Sequence, residues 1–204
     1  MNHLDKAIGD IGSIRMQVAR STEFRGYGPA TLAATSFFAV AAAAGQAVWL
    51  PAPAAHVPAY LAIWISTAAV SASLIGVQMR ARTHRVHSGL ASEMIHMAVE
   101  QFLPSAVAGL LLTFIVARYI PAAVWMLPGL WQLIYSLGVF SSCRFLPRPM
   151  LAAGAWYLAT GLACIALAGH SALSPWAMAI PYGVGQLLMA GVLFFNSPEA
   201  QDEG

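Results

Sequence analysis

The chain has 204 residues, of which 59% are hydrophobic and only 9% charged, whereas a soluble domain carries about 25% charged residues to solvate its surface. That excludes an ordinary water-facing globule, and a formal charge of +2 is too small to suggest nucleic-acid binding. Most of the molecular surface is therefore expected to face lipid.

Residues 1–28 place Leu4, Ile8, Ile11, Ile14 and Val18 three or four apart among charged residues. This predicts a short amphipathic helix, interrupted by Gly9 and Gly12, that lies on the inner leaflet or docks on a protein partner. A hydrocarbon core is crossed by about 20 apolar residues in a helix, and Ala30 to Leu50, ending at Pro51, is the first such run. Small residues from Ala41 to Gly45 could mimic a cleavage site. The polar leader is long for a signal peptide, however, and the apolar run continues through Trp49. The segment is read as a retained helix.

The second run, Ala59 to Met79, stops at Arg80, Arg82 and Arg85. The following stretch holds His84, His87, Glu93, His96 and Glu100. Glu93, His96 and Glu100 recur at i, i+3 and i+7, so a helix presents them on one face. Glu93-x-x-His96 has the spacing used by di-iron carboxylate bundles, and these two residues are the pair a metal would use. No second Glu-x-x-His occurs and no spare carboxylate lies in the apolar runs. The expected role is thus a charged helix entering the membrane, with no metal centre and no cofactor.

The third run, Gln101 to Tyr119, contains Thr113 and begins beside Glu100, an acid that must face the bundle or pair with an arginine. Pro121 opens the fourth, Ala122 to Ser142, where a proline in the first turn forfeits no helical hydrogen bond. Arg144, Pro147, Arg148 and Pro149 separate it from the fifth, Met150 to Gly169. There Gly154, Gly161 and Ala168 recur every seven residues, a small face for close helix packing within the bundle or between subunits of a homo-oligomer. The sixth run is Leu173 to Phe195, and the polar tail 196–204 is expected to be disordered. Cys143 and Cys164 are too few for a disulfide framework and are read as buried thiols.

The expected fold is accordingly all-α, an integral membrane bundle of six transmembrane helices over residues 29–195. In size and topology alone, six short-looped spans resemble the substrate-binding subunits of energy-coupling-factor vitamin transporters, with no residue motif in common. Gln46, Gln132 and Gln186 fall well inside spans and must find partners there. If a mid-membrane cavity exists, Thr113, Trp131, Gln132, Tyr135, Tyr182 and Gln186 are its expected lining, with Glu100 at the inner boundary. Pro128 and Pro181 would bend two helices toward it. His56 and His170 lie in loops, no histidine lies deep in a span for haem, and nucleophile and phosphate-loop motifs are missing. Three functions stay open: a non-enzymatic protein acting through partners at residues 1–28 and 80–87, a small-molecule binding or transport subunit, and a membrane enzyme using Glu93, His96 and Glu100.

Basic residues set the expected orientation. Lys6, Arg15, Arg20, Arg25, Arg80, Arg82, Arg85, Arg144 and Arg148 fall on one side and only Arg118 on the other, which predicts an inner-membrane protein with both termini cytoplasmic. Trp49, Tyr60, Tyr119, Trp125 and Trp176 are expected at the outer interface. Replacing Arg80, Arg82 and Arg85 together with glutamate should disturb insertion of the neighbouring spans. Cysteine accessibility measures this, and an unchanged pattern would mean that other charges set the orientation.

Overall fold

The computed structural model describes residues 28–85, 89–143, 148–167 and 171–195, with side chains throughout except at 82–99. The segment expected at 1–28 (Gly28 apart), residues 86–88 of the basic loop and the tail 196–204 lie outside the described residues. Six stretches of the described chain are helices long and apolar enough to cross a membrane, and no strand occurs among the described residues.

Proline placement explains most helix starts. Pro29 stands at the first turn of α1 (Pro29–Trp49), where the N–H it lacks would have no helical partner. The next two helices, α2 (Val57–Arg85) and α3 (Gly89–Tyr119), extend beyond their apolar stretches into the charged segment. The fourth span departs from the expected single helix. It opens as a 3-10 helix, Pro121–Met126, and continues as α4 (Leu127–Ser142). Pro128 explains the change. It has no N–H for the Val124 carbonyl, which takes the Leu127 N–H three residues on instead. The fifth helix, α5 (Met150–Leu167), follows Pro149, and α6 (Trp176–Phe195) begins after Pro175, three residues later than the apolar run suggests.

The helices follow one another around a ring. α2 packs on α1, α3 on α4, α4 closely along α5, α5 on α6, and α6 closes along α1, whereas α2 and α3 touch at only a few points. Two packed layers fill the ring. Leu32, Met79, Val139, Met150, Tyr157 and Met189 meet at the end where α1 starts and α6 finishes. Leu50, Tyr60, Trp64, Val116, Leu127 and Met178 meet at the opposite end. The first and last described residues of the bundle therefore share one end.

Outside, large apolar side chains stand exposed on all six helices, among them Phe37, Val70, Leu111, Leu137, Leu162 and Leu187. Lipid tails are as apolar as these side chains, so helix association in such a setting depends on close packing and internal hydrogen bonds. The glycines supply the closeness. A Cβ on Gly161 would stand 2.9 Å from the Gly129 carbonyl oxygen and 3.1 Å from Gln132 Cβ, so α4 and α5 cross backbone to backbone there. Gly154, one heptad earlier, receives the Phe140 ring. The expected packing role of this face thus holds for both glycines, while Ala168 lies outside the described residues.

Gly161→Ala should destabilise the bundle by about 1–3 kcal/mol, because the backbone it would strike cannot yield. Gly76→Ala has nothing within 4 Å to strike, and should be neutral or stabilising by up to about 1 kcal/mol through helix propensity. Denaturant titration in mixed micelles, followed by tryptophan fluorescence, compares the two.

Candidate functional site

At mid-bundle, α6 carries Pro181 inside its helix. A proline leaves the carbonyl four residues earlier without its helical donor, here that of Ala177. Gln132 Nε2 on α4 donates to the Ala177 carbonyl at 2.9 Å and so replaces the missing N–H. Two further side chains reach carbonyls of the same stretch. Trp156 Nε1 on α5 donates to Pro181 at 3.0 Å, and Ser36 Oγ on α1 donates to Gly183 at 2.8 Å. Three helices thus hold one proline-weakened segment of a fourth.

Below this grip, toward the ends of α4 and α6, lies an aromatic cluster. Tyr135, Tyr157 and Tyr182 stand mutually edge-on or tilted, with centroids 4.7, 5.4 and 5.7 Å apart, and Phe102 adds an edge contact to Tyr135 at 5.5 Å. Gln186 Nε2 donates to the Tyr135 hydroxyl oxygen at 2.9 Å. Tyr157 fits only because position 185 is glycine, where a Cβ would fall 2.7 Å from its Cε2. Among the described residues, five buried side-chain polar atoms have no hydrogen-bond partner: Tyr60 Oη, Gln101 Oε1, Tyr157 Oη, Gln132 Oε1 and Gln186 Oε1.

A second group links α2, α3 and α4. Trp131 Nε1 donates to Thr113 Oγ1 at 2.7 Å, the Thr113 hydroxyl in turn donates to the Gly109 carbonyl at 2.6 Å, and Tyr60 stacks nearly parallel on Trp131 at 6.5 Å. A third joins α1, α2 and the approach to α6. Gln46 Nε2 donates to Leu173 at 2.7 Å while its Oε1 accepts from Trp64 Nε1 at 2.8 Å.

Of the residues singled out from sequence, Tyr135, Tyr182 and Gln186 come together, Gln132 holds α6 beside them, and Thr113 and Trp131 form a separate pair. Glu100 is exposed at the end of the α3 span and joins neither group. Glu93 and His96 fall on α3, and their side chains lie outside the described residues. Among the described residues no group of three or more His, Cys, Asp or Glu could hold a metal ion. Both cysteines are free. Cys143 Sγ donates to the Val139 carbonyl at 3.2 Å, and partial burial pushes its thiol upward in pKa.

One interface expectation needs correcting. Trp49, Tyr119, Trp125 and Trp176 are exposed, but Tyr60 is fully buried, because it stacks inward on Trp131. Sequence reading also passed over Tyr157, Trp156 and Phe102. Tyr157 had a readable signal, since it lies between Gly154 and Gly161 at i+3 on the small face of α5 and so must point inward. Comparison with protein-family models, with curated proteins and with solved structures finds no match to this chain.

Gln132→Leu should lower stability by about 1 kcal/mol, the usual worth of an interhelical hydrogen bond in a membrane bundle. In a Pro181→Ala background the backbone regains its own donor for Ala177, and the same substitution should lose less than half as much. A double-mutant cycle reads this directly, and zero coupling would show that Gln132 does not stand in for the absent N–H.

Proposed function

We propose that this chain is a multi-pass inner-membrane protein, with both termini cytoplasmic, that acts through a protein partner as a sensor, regulator or assembly subunit. The observation that carries this reading is how the interior uses its polar groups. Gln46, Gln132, Trp131 and Ser36 each donate to or accept from another helix or a neighbouring loop, and tyrosine and phenylalanine rings fill the space against Gly138, Gly154 and Gly185. An interior committed to its own packing supports work done at the surface. Charge supports the same view. Nine of the ten basic residues and all eight acidic ones lie in residues 1–28, 80–100, 144–148 and 196–204, which the proposed topology places at the cytoplasmic side. The basic 80–87 stretch and the amphipathic 1–28 segment are the partner-binding elements in this reading, and the bilayer is the environment of the rest.

A small-molecule binding subunit is the second reading, and one observation favours it. Tyr157 Oη and Gln186 Oε1 are buried beside the tyrosine cluster without partners, and buried polar groups in that state are suited to a polar ligand.

Photo-crosslinkers placed at Ile11, Val18 and Arg82 in native membranes should give one discrete adduct, and one at Ala54 should give none. Equal adducts at all four positions, or none anywhere, would remove the partner reading. Mass spectrometry of the purified protein decides the second reading: a retained polar molecule that is lost on Gln186→Leu would establish it.

A further inference from the structure

The seam between α2 and α3 is the part of the ring that the packing leaves open. Only 11% of the apolar window of each of these two helices is buried, against 44% for the fourth and sixth spans. Between them runs a groove of about 400 Å³ whose apolar walls include Leu61 and Ile65 of α2 and Leu110, Phe114 and Ala117 of α3, with Arg118 at its mouth. Thr113 also lines it, but its hydroxyl is already bonded to Trp131 and Gly109. The groove is therefore greasy along its length and cationic at one end.

Arg118 is an exposed cation in the last turn of α3. Its guanidinium lies 5.7 Å from the Tyr119 ring centroid, a cation–π contact that leaves the charge uncompensated. No carboxylate pairs with it among the described residues, and the reason is visible in the sequence. The eight acidic residues are Asp5, Asp10, Glu23, Glu93, Glu100, Glu199, Asp202 and Glu203. None falls in the connections 50–56, 120 or 168–175, which join the helices at the end where Arg118 stands. An anion from outside the chain has free access to this exposed guanidinium.

Shape narrows the choice. From Leu110 to Arg118 a helix rises about 12 Å at 1.5 Å per residue. Spread over that length, the groove volume leaves a cross-section of roughly 30 Å², which accepts one extended hydrocarbon chain. We propose that the α2–α3 groove is a phospholipid site, in which Arg118 binds the phosphate and one acyl chain lies along Leu61, Ile65, Leu110 and Phe114. The site rests on the bundle standing in a bilayer, and it is independent of which protein partner the other end binds.

Native mass spectrometry of the full chain in detergent, titrated with phosphatidylglycerol, tests the site. Wild type should hold one lipid, and Arg118→Gln should weaken it by about fivefold, the effect of one basic residue at an anionic lipid surface. Arg118→Lys should retain most of the affinity, and Ala117→Trp, which fills the groove, should abolish it. Arg148→Gln, an exposed cation in the turn before α5, should change nothing. Equal affinity in all variants would overturn the proposal, as would an equal loss in Arg148→Gln. Glycerol phosphate competing as well as the intact lipid would overturn it too, by showing an anion contact without a chain site. A dimer mass that Ala117→Trp splits would assign the groove to a second copy instead. Recovery as a detergent-free monomer would fail the bilayer premise, an outcome distinct from a detergent-dependent protein whose variants all bind lipid alike.

Discussion

A proline inside a helix leaves one carbonyl without its helical donor, and the packing of three helices against α6 meets that demand. Pro181 deprives Ala177 of its donor, and Gln132 crosses from α4 to provide one. The neighbouring carbonyls of Pro181 and Gly183 take side-chain donors from α5 and α1. Because each donor comes from a different helix, the one weakened segment fixes the rotation of three neighbours at once. In a medium where apolar burial gives helices little reason to prefer one another, such bonds and close contacts are what select a single arrangement.

The glycines act with these bonds. Gly129 against Gly161 lets α4 and α5 approach closely enough for Gln132 to reach beyond α5 toward α6. Gly185 and Gly138 make room for Tyr157 and Phe102, so the tyrosine cluster occupies the space that a looser crossing would leave open. Polar groups here fall into two kinds. Gln46 is satisfied through both ends of its amide, whereas Gln132 and Gln186 each use the nitrogen and leave the oxygen unpartnered. The first kind is structural. The second is where the interior retains chemical capacity, and two of its atoms, Tyr157 Oη and Gln186 Oε1, lie at the tyrosine cluster.

The ring is uneven. α1, α4 and α6 bury broad faces, while α2 and α3 present most of their surface outward and scarcely meet each other. Arg118 stands at an open apolar groove instead of a closed interface.

Much of this was legible in the chain before any coordinates. Six apolar runs bounded by prolines and arginines determined the number, order and approximate limits of the helices, because spanning length and hydrocarbon solubility are local properties of composition. The need of Gln46, Gln132 and Gln186 for partners was equally local. Which partners they have was not, since a hydrogen bond from residue 132 to residue 177 depends on which helices adjoin and how each is rotated. Tyr60 shows the same limit: its position marked it for an interface, and only the stacking on Trp131 turned it inward. The open α2–α3 seam likewise emerged only from the packed bundle, whereas the 3-10 opening before α4 has a local cause in Pro128. Composition decides what each segment can tolerate around it, and tertiary packing decides what it meets.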